Sequence, residues 1–254
     1  MNAHALSQPF SRFRDATLSL LYPTQCRVCG APINSLQDGV CCSDCWHIAQ
    51  SEWLAAEHCV KCDAQLKPSG RSGLERQCPH CRELAFTQAR ACGAYADAWL
   101  ANILRLKAQP HLPERMRAQL IETFDRNPCL HECQAIIPVP LHAARYAERS
   151  FNQAELIADA LAAHTSLPVL LTALQRAKAT SRHRAGMGIK ERAKSLHKAF
   201  RVSAPRLVAG KTLLVVDDVM TSGSTAHEIA QTLLDAGAQA VKVLTLARAV
   251  TRFI

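Results

Sequence analysis

A chain of 254 residues, 48% of them apolar, can bury a core for one large domain or two ordinary ones. No apolar run approaches the ~20 residues that cross a bilayer. Gln25, not a small residue, precedes Cys26, so the lipoprotein reading falls and the expectation is a soluble cytoplasmic protein with no membrane partner. The formal charge is +9, and residues 142–201 hold 11 Lys/Arg against 4 Asp/Glu, which favours an anionic partner (phosphate, pyrophosphate or nucleic acid) over a merely solvated basic face.

In chain order, "FSRFRDATLSLL" (10–21) sets Phe10, Phe13, Thr17, Leu18 and Leu21 at helical spacing and predicts an amphipathic helix within residues 1–22. Residues 23–88 are rich in Cys, His, Gly and Pro, with "LKPSGRSGLERQ" as an interior loop, and such a segment needs a staple to fold. From 89 to 254 the texture is α/β. "AWLANILRLK" (98–107) is helical, "QAIIPVP" (134–140) a buried strand, "NQAELIADALAAH" (152–164) a helix and "LPVLL" (167–171) a strand. "TLLVVDD" (212–218), "TAHEIAQTLLDAGA" (225–238) and "AVKVLTLAR" (240–248) form a strand–helix–strand unit, hence a parallel sheet.

Eight of the twelve cysteines fall in four C-x-x-C pairs: Cys26/Cys29, Cys42/Cys45, Cys59/Cys62 and Cys78/Cys81. Each pair can aim two thiolates at one ion, and tetrahedral Zn²⁺ takes four, so eight make two structural zinc sites. The simplest pairing joins neighbours in sequence, while an interleaved pairing stays open. Cys41, His47, His58 or His80 can substitute for a thiolate, and an iron–sulfur cluster also takes four. A filled four-thiolate site has no open position, so the metal shapes a surface and does no chemistry. Cys129 and Cys133 read as an incidental loop.

"LLVVDDVMTSGST" (213–225) runs a buried strand into two acids and then into small hydroxyl residues. Ligands of parallel sheets bind beyond the carboxyl ends of the strands, and a loop leading into a helix N-terminus is an anion site. The expectation is a strand ending at Asp217 and Asp218, which accept from two neighbouring hydroxyls of a ribose. A phosphate cradle follows, made by Thr221, Ser222, Gly223, Ser224 and Thr225, with its helix starting near Thr225. The stretch is neither a Walker A loop nor a dinucleotide fingerprint.

This stretch resembles the phosphoribosyl-pyrophosphate (PRPP) motif of type I phosphoribosyltransferases. With the doubled cysteine pairs, "IIPVPLHAARYAERSFNQAELIA" and "VKVLTLARA", the whole chain resembles the ComF/GntX family. The resemblance implies a type I phosphoribosyltransferase-like parallel-sheet domain preceded by a small Cys-rich zinc-binding domain. It implies that Asp217 and Asp218 hold the ribose hydroxyls, and that residues 221–225 hold the 5′-phosphate. Arg145 and Arg149 then face pyrophosphate, Lys107 faces the pocket, and Mg²⁺ accompanies PRPP. The segment from Thr180 to Phe200 departs from the family pattern, with His183 or Arg184 where Gln is usual and Ser195 where Asn is usual. It reads as a basic loop over the pyrophosphate within 176–201.

Three readings follow. One is a working phosphoribosyltransferase with an unread acceptor. Another is a non-catalytic PRPP- or nucleotide-binding protein tied by resemblance to DNA uptake and recombination partners. The last is a zinc-ribbon module for single-stranded DNA or protein, for which 5% aromatic residues offer few stacking platforms.

Overall fold

The computed structural model describes residues 24–67, 76–177 and 199–250. The predicted helix at 10–21 and positions 178–198 of the basic loop lie outside the described residues. Among the described residues no helix is long and apolar enough to cross a membrane.

Four strands form one parallel sheet in the order β1 (Gln88–Ala94), β6 (Ala240–Arg248), β5 (Thr212–Met220) and β2 (Ala135–Pro138). Leu213, Leu214, Val215 and Val216 are all fully buried, because helices and loops cover both faces of such a sheet. The alternation of side chains along β5 divides the core in two. Leu214 and Val216 pack with Trp99, Ile103, Met116, Leu120, Ile157 and the first cysteine segment. Leu213 and Val215 pack with Ile229, Ala230, Leu233, Phe86 and the second cysteine segment.

The first face is built by α1 (Ser43–Ala55), α2 (Asp97–Leu106), α3 (Glu114–Asp125) and α5 (Gln153–Thr165). Between β2 and α5 lies a short helix, α4 (Ala143–Arg149). Asn152 starts α5: its side chain accepts from the Ala154 amide (3.1 Å) and donates to the Val139 carbonyl (3.0 Å), tying the helix to the end of β2. On the other face, β3 (Leu174–Arg176) and β4 (Phe200–Val202) pair antiparallel. A single helical turn, α6 (Pro205–Val208), then leads to β5, and α7 (Ser224–Asp235) connects β5 to β6.

Helices 98–107 and 152–164 and strands 134–140 and 240–248 stand where the sequence places them, within a residue or two at each end. "LPVLL" does not become a strand: it forms one bridge, Val169 to Ile136, because Pro168 has no amide hydrogen to extend the ladder. The second correction concerns β5, which continues through Val219 and Met220 instead of stopping at the acids. Its partner β6 runs equally far, with Met220 opposite Arg248.

The first cysteine segment joins the sheet through an aromatic contact. Trp46 of α1 and Trp99 of α2 meet edge to face at 5.1 Å and 88°, a favoured geometry for aromatic pairs. Gly93 of β1 lies against Trp99 so closely that a Cβ there would sit 1.9 Å from Nε1. Both indoles are buried and have no room to retreat. Gly93→Ala is therefore expected to destabilise the protein by about 1–3 kcal/mol, the usual cost of overpacking. Urea unfolding followed by tryptophan fluorescence measures it, and an unchanged midpoint would contradict the packing.

Candidate functional site: a two-acid cleft beside a four-cysteine centre

The cysteines gather as two groups of four, Cys26/Cys29/Cys42/Cys45 and Cys59/Cys62/Cys78/Cys81, each with its sulfurs within 4.8 Å of one another. Neighbouring Sγ atoms are 3.7 Å (Cys26–Cys45), 3.6 Å (Cys29–Cys42), 3.5 Å (Cys59–Cys81) and 3.4 Å (Cys62–Cys78) apart. A tetrahedron with metal–sulfur bonds of ~2.3 Å has edges of about 3.8 Å, so both groups fit a zinc ion. The sequential pairing holds, and none of the alternative ligands joins either group. Cys41 is buried beneath α2, its thiol pushed up to about 12 by burial. His58 is engaged with the carbonyls of Trp53 and Asp63. Among the described residues Cys129 and Cys133 belong to no third group. In the second group the Cys62 side chain hydrogen-bonds to Cys59, which pushes the Cys59 thiol down to about 4 and Cys62 up. Four thiols at this spacing share protons that a dication would displace.

The two groups are built on repeated turns. Val28 N–H points at Cys26 Sγ (3.4 Å) and Cys78 N–H at Cys59 Sγ (3.2 Å), the amide-to-sulfur contacts expected of knuckles. Gly30 N–H closes the first turn onto Cys26 C=O (2.9 Å) with a φ of 77°. Asp63 closes the second onto Cys59 C=O (3.0 Å) with a φ of 57°, unusual for a residue with a Cβ. Its side chain accounts for the choice, because its carboxylate accepts from the Ala91 amide at 2.8 Å and staples the second knuckle to β1.

β2 ends opposite Val216, so Asp217 and Asp218 are the first residues of β5 without a neighbour on that side. This places both acids, half-buried, in the crevice at the carboxyl edge of the sheet. Lys107, just past α2, pairs with Asp218 at 2.9 Å. Asp217 Oδ1 accepts from the Asp218 amide at 2.8 Å. Burial, then the adjacent Asp218 carboxylate, push the Asp217 carboxyl up to about 8, against that amide and the Lys107 ammonium. Burial, then the Arg145 guanidinium on α4, push Arg176 at the end of β3 below the usual guanidinium range, against the pull of Asp217. Arg176 stacks over Phe200 at 5.5 Å. Arg149 points elsewhere on α4, donating to Gln153 at 3.0 Å. Arg176 opens the basic segment expected over the pyrophosphate, but that it ends a short strand was not foreseen, since β3 has no sequence period that marks it.

Past Met220 the chain turns through Thr221 and Ser222 to Gly223, whose φ of 81° begins α7. Ser222 Oγ hydrogen-bonds Ser224 Oγ at 2.8 Å, and the Ser224 amide donates to Ser222 Oγ at 3.3 Å. Thr221 is exposed at the mouth, and the first turn of α7 carries no acid to repel an anion. A narrow cleft lined by Asp217, Thr221, Gly223, Thr225 and Thr245, among apolar side chains, connects the loop to Asp217. Sequence reasoning missed what lies beneath the loop: Leu84 and Phe86 pack under Gly223, and the Ala85 amide donates to His227 Nδ1 at 3.0 Å.

The family model "Phosphoribosyl transferase domain" matches residues 115–252, more than half of the chain. "DNA utilization protein YhgH" of Escherichia coli O157:H7 is 30% identical over 235 residues, covering 90% of this chain and 99% of that protein. "Competence protein F" of Haemophilus influenzae is 29% identical over 233 residues, covering 89% and 97%. The chain belongs to the ComF family. "Competence protein ComFC" of Bacillus subtilis is a more distant ComF relative, 27% identical over 169 residues, covering 65% of this chain and 66% of its own. In this ComF chain the matched domain begins inside α3, so β1, α2 and both cysteine groups precede the match.

The raised Asp217 gives a signed pH dependence. In the folded chain Asp217 keeps a proton, between about pH 4 and about pH 8, that an unfolded carboxyl would release. Its contribution to stability is complete below the unfolded value and is lost as pH rises through about 8. Asp217→Asn removes this dependence. The melting temperature of the variant relative to wild type is therefore expected to climb between about pH 5 and about pH 9, and a flat difference would show that Asp217 is ionised throughout.

Proposed function

We propose that this protein binds PRPP, or a nucleotide through its 5′-phosphate, in the cleft between Asp217/Asp218 and the 221–225 loop. The observation that carries this reading is the juxtaposition of two strand acids, one ion-paired to Lys107, with a hydroxyl-rich loop entering a helix N-terminus. Gly223, Ser224 and Thr225 offer amides, and Thr221, Ser222 and Ser224 hydroxyls, to a phosphomonoester. Asp218 and Asp217 then accept from the ribose diol. Lys107, Arg145 and Arg176 give the mouth the positive charge a pyrophosphate needs, with Arg149 a turn away. A carboxyl held neutral beside a carboxylate fits a site completed by a cation. Mg²⁺ brought with PRPP, held by Asp217 and Asp218 through water, would supply charge neutralisation of the pyrophosphate.

Transfer would break the bond from ribose C1 to the pyrophosphate oxygen and form one to an acceptor through an oxocarbenium-like state. The chain's part is to hold the ribose by its diol and 5′-phosphate and to place Arg145 and Arg176 where negative charge grows on the leaving group. We further propose that residues 23–88 are a double zinc module, that 89–254 form the transferase-like domain, and that a separate N-terminal segment, 1–22, precedes both. The names of the relatives support a role in competence and DNA utilisation, and we propose DNA-uptake or recombination proteins as partners.

Two measurements test this. Titration calorimetry with PRPP and Mg²⁺ should show binding that weakens by about tenfold or more in Asp218→Asn and further in the double Asp217→Asn/Asp218→Asn variant, the scale expected for charge-assisted hydrogen bonds. Equal affinity in all three would overturn the assignment of the acids. Separately, elemental analysis of the purified protein should find two zinc ions per chain, falling to one in Cys59→Ser. Retention of both ions in that variant would remove Cys59 from the ligand set.

A further inference from the structure

The two cysteine centres are not equivalent in where they attach. The first reaches the sheet through the Trp46–Trp99 contact. Its hydrogen bonds run from the Val40 amide to Asn102 (3.0 Å) and from Arg115 to Asp38 (3.0 Å), all on the face away from α7. The second lies on the α7 face, in the same core cluster as Ala226 and Ile229. It touches the 221–225 loop from both ends.

The first of these contacts is made by Arg248, the last residue of β6, only 5% exposed. Its Nε donates to the Cys62 carbonyl at 3.1 Å and its Nη2 lies 3.9 Å from Cys62 Sγ. Its Nη1 donates to the Met220 carbonyl at 3.0 Å and also to the Thr221 carbonyl. One buried guanidinium thus joins a metal-binding cysteine to the two carbonyls at which β5 becomes the loop. The acidic groups that feel its charge are Cys62 and Asp63, both belonging to the second knuckle. The other contacts come from the chain just after Cys81. Leu84 N–H bonds back to Cys81 C=O (3.3 Å), and the Leu84 side chain closes on Gly223, where a Cβ would meet it at 3.0 Å. Ala85 donates to His227 in the first turn of α7. Lys61, between the ligands Cys59 and Cys62, holds this linker by its Nζ on the Leu84 carbonyl at 2.7 Å.

We infer that Arg248 is a positioning residue that couples the second four-cysteine centre to the phosphate loop, so that the state of that centre sets the shape of the loop. The inference rests on the reading of residues 221–225 as a phosphate site, but the coupling is measurable without any ligand. A four-thiolate centre holding a divalent metal carries net negative charge, which a buried guanidinium balances. If the metal is lost, the knuckle that anchors Nε and Nη2 loosens, and the carbonyls of Met220 and Thr221 lose their fixed donor. The cost of burying an unpaired guanidinium then favours an opened loop. Among the described residues the first centre has no such route. By linkage the effect is reciprocal: a phosphoryl ligand that fixes the loop must retain the metal at the second centre.

The test uses the full-length protein in zinc and cobalt forms. Hydrogen exchange of the Thr221–Ala226 amides is compared in wild type, Arg248→Lys, Arg248→Met and Cys29→Ser. The last removes the exposed ligand of the first centre as a control. Loss of a buried charge-assisted network should speed loop exchange by about tenfold or more in Arg248→Met. The effect should be smaller in Arg248→Lys, which keeps charge without the fork, and absent in Cys29→Ser. Amides of Leu213–Val216 report global stability and should stay protected in all. In the cobalt form, PRPP with Mg²⁺ should change the thiolate–cobalt absorption of wild type, and Arg248→Met should abolish that response, an outcome that a purely structural arginine would not produce. Unchanged loop exchange in both Arg248 variants, or an equal effect from Cys29→Ser, would overturn the coupling. If Arg248→Met does not fold, the Lys variant and the cobalt titration of wild type decide it. Failure of PRPP to bind any form, with loop exchange still dependent on Arg248, would sink the phosphate reading and leave the coupling standing.

Discussion

Two adjacent carboxylates in a half-buried strand repel each other, and most of the molecule around the cleft is arranged to tolerate that repulsion. Lys107 ion-pairs with Asp218, and Asp217 keeps its proton because burial and the Asp218 carboxylate outweigh the Asp218 amide and the Lys107 ammonium. The positions of the two acids follow from where β2 stops: Val216 has a partner, Asp217 has none. A longer β2 would cover the acids and close the crevice. The next ladder bond is diverted at both ends, since the Val139 carbonyl accepts from Asn152 and the Asp218 amide turns to Asp217 Oδ1.

The same sheet carries information sideways. Because β5 side chains alternate between two cores, the first cysteine segment and the helices α2, α3 and α5 share one face, while α7 and the second cysteine segment share the other. The 221–225 loop is the entry to α7 and so belongs to the second face. The cysteine segments are thereby parts of the two cores, not appendages, and the second forms the floor beneath Gly223. Its knuckle uses Asp63 where the first uses Gly30, accepting an unfavourable backbone angle because the carboxylate reaches Ala91 of β1.

The elements that could be read directly were those whose periodicity was strong and whose ends were marked. "NQAELIADALAAH" carries its own cap in Asn152, and "AVKVLTLAR" is a mostly apolar run, broken by Lys242 and Thr245, of the kind that two-sided burial requires. β1 escaped notice because "QARACGA" has no bulky apolar residues. Its smallness is explained only by Trp99 pressing on Gly93. The tryptophans of α1 gave no period that separates a helix from a cysteine-rich loop. α4 hides in "HAARYAER", a helix of seven residues with none of them buried.

The C-x-x-C turns and the small, hydroxyl-rich loop after β5 were local properties, determined by residue type at fixed spacing, so the sequence alone carried them. Four C-x-x-C turns must each present two sulfurs to one ion, and a strand followed by small hydroxyl residues and a glycine must expose amides at a helix start. The tertiary structure alone decided which cysteine pairs come together, that β5 runs past its acids to Met220, that Arg176 feels the charge of Asp217, and that Arg248 links Cys62 to Thr221. These depend on contacts between residues up to 186 positions apart, set by how two faces of a sheet are filled, and no local spacing encodes them.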